Sequence, residues 1–416
     1  MQKVVITQPY RFVPPRKSKL WWYLFRPILP TFLRRNDGIH AVECRGVERL
    51  QASLAQGHGI ILAANHCRPC DPIVLGTLSV KVRRPFFIIG SWHVFMHNAL
   101  RRFLLPRLGV FSIYREGNDR EALKTAIQVT AEAERPLVIF PEGVQSRHND
   151  VLKPLMEGTA LIARGAAKQR AAAHPPGKVV VHPVAIRYLF DGDVSTAILP
   201  VLRDIEHRLT WQPQVHLPLK SRLGRMGGAL LALKEIEYFG ATQSGDIHAR
   251  IERLVDRLLV PLEEEWLKGR RELEIITRVK LLRIAMVPEM ANGKLSEAEL
   301  QRRWRQLADM YLAQQLSFYP PDYLAADPTP ERLLETVERF EEDLTDVARV
   351  HAPMRAIVEV GEAIEVTTER TRGTDGDPLM TAIRKQLERL LAKSARPPPP
   401  TSLAPSPVGA GSGVAQ

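Results

Sequence analysis

A continuous apolar run, Gly59-Ile60-Ile61-Leu62-Ala63-Ala64, breaks into the polar turn Asn65-His66-Cys67-Arg68-Pro69-Cys70 and then into Asp71-Pro72. A short run without a polar member reads as a strand covered on both faces, which points to a sheet with helices on either side and an α/β fold. Asp followed by Pro reads as a helix start, with Asp71 at the N-cap and Pro72 at the first helical position. A histidine in such a turn stands at the carboxyl edge of the sheet, where open α/β sheets hold their ligands. A carboxylate nearby can fix its tautomer and raise its basicity, so the pair suits deprotonation of a hydroxyl. A plainer reading leaves Asp71 as a cap and His66 as a turn residue that satisfies backbone groups.

A second constellation lies downstream. Val138-Ile139-Phe140-Pro141-Glu142-Gly143-Val144-Gln145-Ser146-Arg147 is again an apolar run broken by Pro and Gly and followed by polar groups. Two strand exits of this kind suggest one shared site.

Asn65-His66 with Asp71-Pro72, and Phe140-Pro141-Glu142-Gly143 after them, resemble two signature blocks of the glycerolipid acyltransferases, the family typified by lysophosphatidic acid acyltransferase. Gly109-Val110-Phe111-Ser112-Ile113-Tyr114-Arg115 and Val181-His182-Pro183-Val184-Ala185-Ile186 agree in order. The likeness runs from Ile39 to Tyr188, with a closing segment near the C-terminus. It implies an α/β core of mixed sheet flanked by helices, and transfer of an acyl group from acyl-CoA or an acyl-carrier protein to a hydroxyl of a lysophospholipid-like acceptor such as 1-acylglycerol-3-phosphate. His66 would be the general base and Asp71 its orienting partner. Arg115, Glu142 and Gly143 would bind the acceptor, with Asn65, Ser146 and Arg147 as further substrate contacts. An arginine suits phosphate because its planar fork grips it by two bonds. Neither a metal nor a permanently bound cofactor is implied. The chain has no Gly-x-Ser-x-Gly elbow, so Ser112 and Ser146 are read as structural or substrate-contacting rather than nucleophilic.

The chain also departs from the family pattern. The third block usually continues Thr-Arg-Ser, but Val144, Gln145 and Ser146 stand here, and Glu157 replaces the usual lysine before Gly158. Both changes remove positive charge from where an anionic acceptor would sit, which opens the acceptor's identity to other lipids or alcohols. A rival function comes from Cys67-Arg68-Pro69-Cys70, which has the spacing of a thioredoxin-type redox pair. A zinc site built on these cysteines with His66 and Cys44 would lack a second close pair of ligands. Three cysteines in all point to a reducing compartment. A non-catalytic membrane-binding protein on the same fold is a further alternative.

Lys and Arg number 58 against 46 Asp and Glu, a net charge of +12. Such a balance favours anionic membranes, nucleic acid or acidic cofactors. No nucleic-acid module is recognisable, so nucleic acid is not an expected partner. From Arg16 to Arg35, aromatic residues alternate with basic clusters, the composition of a lipid interface. The stretch is too short and too interrupted by Arg26, Pro27 and Pro30 to span a bilayer. His93 to Leu105 reads as a second candidate patch, a basic amphipathic helix. The expected location is therefore peripheral, on the cytoplasmic face of a membrane.

The organisation read from these patterns is an interface arm at 1–35, a core at 36–202, a helical insertion or second domain at 203–353, a closing strand and helix at 354–393, and a Pro-rich tail at 394–416. Within the helical region, Leu254, Leu258, Leu259 and Leu262 share one helix face, Ser296 and Glu299 form a capping box, and Thr329-Pro330 opens a helix. Ala356 to Val360 reads as a strand, and Asp377-Pro378 opens the last helix, through Leu391.

Overall fold

The computed structural model describes residues 8–210, 212–324, 327–347, 349–369 and 376–394. The tail assigned to 394–416 thus lies, beyond Ser394, outside the described residues. Eight strands form one sheet: β1 (Ile39–Arg45), β2 (Gly59–Ala64), β3 (Phe87–Ser91), β4 (Val110–Ile113), β5 (Leu137–Ile139), β6 (Val179–Phe190), β7 (Met354–Val360) and β8 (Ile364–Glu365). Their order is β1-β7-β6-β2-β5-β3-β4, with β8 also paired to β6. The pairs are parallel except those of β6 with β7 and β8, so the sheet is mixed.

Every residue of β2 is buried, because the sheet is covered on both faces. Ile60, Leu62 and Ala64 point into one core with Val74, Leu75 and Leu78 of helix Asp71–Lys81. Ile61 and Ala63 point into the other, with Ala126 and Val129 of helix Arg120–Glu132 and Ala163 and Ala166 of helix Gly158–Ala171. The two-residue period of a strand thus divides one apolar run between two cores. Leu29 and Leu33, inside the segment read as an N-terminal arm, are buried in the first core. Helix Leu20–Phe25, just before them, has no buried residue.

The helical region interrupts the core. It leaves after β6 and returns as β7, which slots between β1 and β6. The expected elements form: helix Ile247–Leu267, helix Glu297–Leu316 capped by Ser296, helix Pro330–Thr345 capped by Thr329, and helix Pro378–Lys393 capped by Asp377. The first two pack with helix Ile275–Met290 around an apolar centre of their own. Helix Pro330–Thr345 instead sends Leu334, Val337 and Phe340 into the first core of the sheet.

β6 runs on past the end of β2, which stops at the pair Ala64 and Val184. Its outer edge would then leave buried N–H groups at every second residue without a strand partner. Side chains take the strand's place. Asn65 Oδ1 accepts from Ile186 N at 2.7 Å, Asn149 Oδ1 from Tyr188 N at 2.6 Å and Glu331 Oε1 from Phe190 N at 3.0 Å. Both asparagines also donate to the carbonyl of the same residue. Replacing Asn149 by Ala should therefore orphan two buried backbone groups and lower stability by about 2–4 kcal/mol. Thermal denaturation, together with faster hydrogen exchange at the Tyr188 amide, checks this; unchanged protection there would contradict the clamp.

Candidate active site

β2 and β5 are parallel neighbours, with Ala63 opposite Ile139, so both polar turns leave the same edge of the sheet side by side. Carried three residues on, this register brings His66 beside Glu142. Glu142 Oε1 accepts from the His66 backbone N–H at 2.7 Å, and Oε2 from that of Lys153 at 2.9 Å. The carbonyl of His66 accepts from Ser146 N at 2.7 Å. Its ring stacks on Phe140, with centroids 4.2 Å apart. The second turn thus grips the histidine by both backbone groups and one ring face.

Asp71 sets the ring's direction. His66 Nδ1 donates to Asp71 Oδ2 at 2.8 Å, and Arg68 N donates to the same oxygen at 2.9 Å. Oδ1 accepts from Tyr188 Oη at 2.5 Å and from the Cys67 thiol at 3.8 Å. The carboxylate is fully buried, and a buried charge persists only with donors of this number. With Nδ1 committed, Nε2 is the ring nitrogen left to face a substrate. Asp71 is the first residue of its helix rather than the cap: Cys70 holds the cap position, with no side-chain capping bond. The acid turns back to the loop because the histidine and the Arg68 amide offer it donors there. Tyr188, on β6, carries no motif signal and escaped the sequence reading. Burial and the Asp71 charge keep its phenol protonated.

The other residues expected to touch substrate divide. Arg115 Nη2 donates to Gly143 O at 2.6 Å, placing both at the edge of the site. Gly143 has φ +69°, a conformation that strains a side chain, and a Cβ there would come within 2.6 Å of Met156 Sδ, so a larger residue would be strained and would push Met156 aside. Asn65 is not a substrate contact: it is 3% exposed, with both amide atoms spent on Ile186. Ser146 is 1% exposed, and its hydroxyl serves the local turn through His148. Arg147 is ion-paired with Glu342. It lines, with Arg68 and Arg339, a recess beside Cys67 and Cys70 to which neither His66 nor Arg115 contributes. Ser112 is buried and bonded to Val13 N, so it too is structural.

Both cysteines of the Cys-x-x-Cys are buried. Burial and the Asp71 charge push the Cys67 thiol well up, and burial lifts that of Cys70 to about 12. Neither is placed to form the thiolate that redox exchange requires. No group of three or more His, Cys, Asp or Glu among the described residues could hold a metal ion.

The sheet thus holds at its carboxyl edge a histidine bonded to a buried aspartate. Residues 41–187 match the Acyltransferase family model and form an acyltransferase domain. That span runs from β1 to β6 and contains both turns. The domain is that of an enzyme that transfers acyl groups. No curated protein matches the chain.

Burial lifts Glu142 to about 7, against the pull of the His66 and Lys153 amides. Because its folded value lies above the unfolded one, the native state binds the extra proton. Its stabilising contribution is present below about pH 4.5 and is lost as pH rises through about 7. In urea denaturation, wild type should therefore lose about 3 kcal/mol more than Glu142→Gln between pH 4 and pH 8. Equal losses in the two proteins would contradict this. Gln offers a single acceptor to two N–H groups, so the variant should also turn over more slowly.

Proposed function

We propose that this chain moves a fatty acyl group from an acyl thioester, of coenzyme A or an acyl-carrier protein, to a free hydroxyl of a lysophospholipid-like acceptor such as 1-acylglycerol-3-phosphate. The observation that carries the reading is the His66 Nδ1 to Asp71 Oδ2 bond of 2.8 Å, inside an acyltransferase-family domain. Nε2 takes the proton of the acceptor hydroxyl as its oxygen attacks the thioester carbonyl. The tetrahedral adduct collapses with cleavage of the C–S bond, and the imidazolium returns the proton to the leaving thiolate. Asp71 stabilises the imidazolium between the two steps, and no enzyme nucleophile is needed because the thioester is already activated.

His66→Ala should lower turnover by about 10² to 10⁴ with the fold retained, since general-base assistance has that size. Replacing Cys67 and Cys70 together by Ser should cost far less. A loss comparable to that of His66→Ala, in folded protein, would revive the redox reading. Lipid analysis of reaction mixtures by mass spectrometry reads both.

We further propose that the enzyme works at the cytoplasmic face of a membrane as a peripheral protein. Among the described residues no helix is long and apolar enough to cross a bilayer. Leu20, Tyr23 and Leu24 are exposed on helix Leu20–Phe25, and Ile28 on the chain that joins it to helix Leu29–Asp37. Leu100 and Phe103 are exposed on helix Ala99–Arg107. The stretch from His93 thus forms two helices rather than one, Trp92–Met96 and Ala99–Arg107, broken where Asn98 caps the second. Trp21 packs edge-on to Phe103 at 5.5 Å, which merges the two stretches into one apolar patch. Lys19, Arg26, Arg101 and Arg102 are exposed on the same segments, offering charge to anionic lipid.

Leu24→Glu combined with Leu100→Glu should weaken co-sedimentation with anionic vesicles by about tenfold or more, because both apolar and ionic terms contribute. Binding by wild type should fall in part at high salt. Undiminished binding of the double variant would place the contact elsewhere. Deleting residues 1–35 is the poorer test, because Leu29 and Leu33 belong to the core.

A further inference from the structure

The core of this chain lacks the cations expected at Gln145 and Glu157, yet positive charge converges on the same turn from another direction. Lys280 and Arg283 stand one turn apart on helix Ile275–Met290 of the inserted region. Lys280 Nζ lies 3.7 Å from Met156 Sδ, and Met156 is the residue packed against Gly143. Gly143 in turn offers its carbonyl to Arg115. Arg283 is ion-paired with Glu116, the neighbour of Arg115, and His93 Nε2 lies 3.1 Å from the same Glu116 oxygen.

We propose that the phosphate of the acceptor is held here by Lys280 and Arg283 together with Arg115, so that the inserted helices supply the anion site the core has lost. The inference rests on the acyl-transfer reading above.

The cluster sets three cations against the single carboxylate of Glu116, leaving two positive charges in excess, the complement of a phosphate monoester dianion. The crowding is visible in the groups themselves. Burial and the charge of Arg283 bring Arg115 down to about 10, and desolvation with the charge of Arg115 lowers Lys280. Glu116 falls to about 2 despite burial, under the His93 bond and the charge of Arg283. Arg115 spends one described bond on protein, and Lys280 has only a thioether sulfur. Other cations nearby are engaged: Lys153 Nζ donates to Ser317 O at 2.6 Å, and Arg147 pairs with Glu342. The position also fits the chemistry. Gly143 follows Glu142, which holds His66, and in 1-acylglycerol-3-phosphate the free hydroxyl sits on the carbon next to the phosphate-bearing one.

Steady-state kinetics of the full-length protein, with acyl-CoA and 1-acylglycerol-3-phosphate in mixed micelles, test this. Lys280→Gln, an exposed position whose change should not disturb folding, should raise the acceptor KM about tenfold with a smaller effect on kcat. Its preference for the phosphate-bearing acceptor over a monoacylglycerol should fall by a similar factor, and Lys280→Arg should restore much of both. Arg283→Gln should act in the same direction, but it also strips Glu116 of a cation and is read only beside Lys280→Gln. An unchanged acceptor KM in Lys280→Gln overturns the proposal. So does a rise confined to the acyl-CoA KM, which would assign the cations to the coenzyme's phosphates, and so does wild-type transfer to the monoacylglycerol alone. If wild type transfers no acyl group at all, the acyl-transfer reading fails, and calorimetry with glycerol 3-phosphate decides the site. Binding that Lys280→Gln loses supports it, whereas binding absent from wild type or retained by the variant overturns it.

Discussion

An anion taken wholly out of water must collect donors from whatever surrounds it, and the Asp71 carboxylate collects them from four places. The His66 ring, the Arg68 amide, the Cys67 thiol and the Tyr188 phenol all converge on its two oxygens. Because the donors come from the turn after β2 and from β6, one electrostatic requirement ties His66 to the middle of the sheet. The same network that keeps a buried charge tolerable also selects the tautomer in which Nε2 is free to act. Fold stability and the orientation of the His66 ring are linked at this carboxylate.

A second buried carboxylate does comparable work from the neighbouring strand exit. Glu142 spans two backbone amides, one of them that of His66, and Ser146 holds the other end of the same residue. A residue named by motif as an acceptor ligand thus also serves as a brace. The division is physical: a carboxylate that accepts two buried N–H bonds is poorly placed to meet an anionic substrate, whereas the cations around Arg115 are suited to one.

The inserted helices complete the core rather than merely decorate it. Helix Pro330–Thr345 lies along the two polar turns, pairing Glu338 with Arg68, Glu342 with Arg147 and Arg339 with His148, while Glu331 satisfies the end of β6. Glu335, raised to about 7 mainly by burial, accepts from Tyr323 and from the Asn149 amide. Such buried polar groups are costly to leave unmet. A site assembled from both the core and the insertion therefore requires the two to fold together.

Local chemistry was legible in the sequence. The apolar run of β2, the start of helix Asp71–Lys81, the capped helices and the return to strand at β7 all follow from nearest-neighbour preferences and periodicity, and so does the meeting of His66 with Asp71 inside one turn. What could not be read there depends on partners remote in the chain. Nothing local distinguishes Asn65 as a clamp on Ile186 from Asn65 as a ligand, Tyr188 as a partner of Asp71 from any strand tyrosine, or Lys280 and Arg283 from a solvated helix face. The sequence by itself determined that β2, β7 and the capped helices would form, because those choices are settled within a few residues. Only the tertiary structure decided which polar groups face one another across the sheet edge, because burial and pairing depend on how distant segments come together.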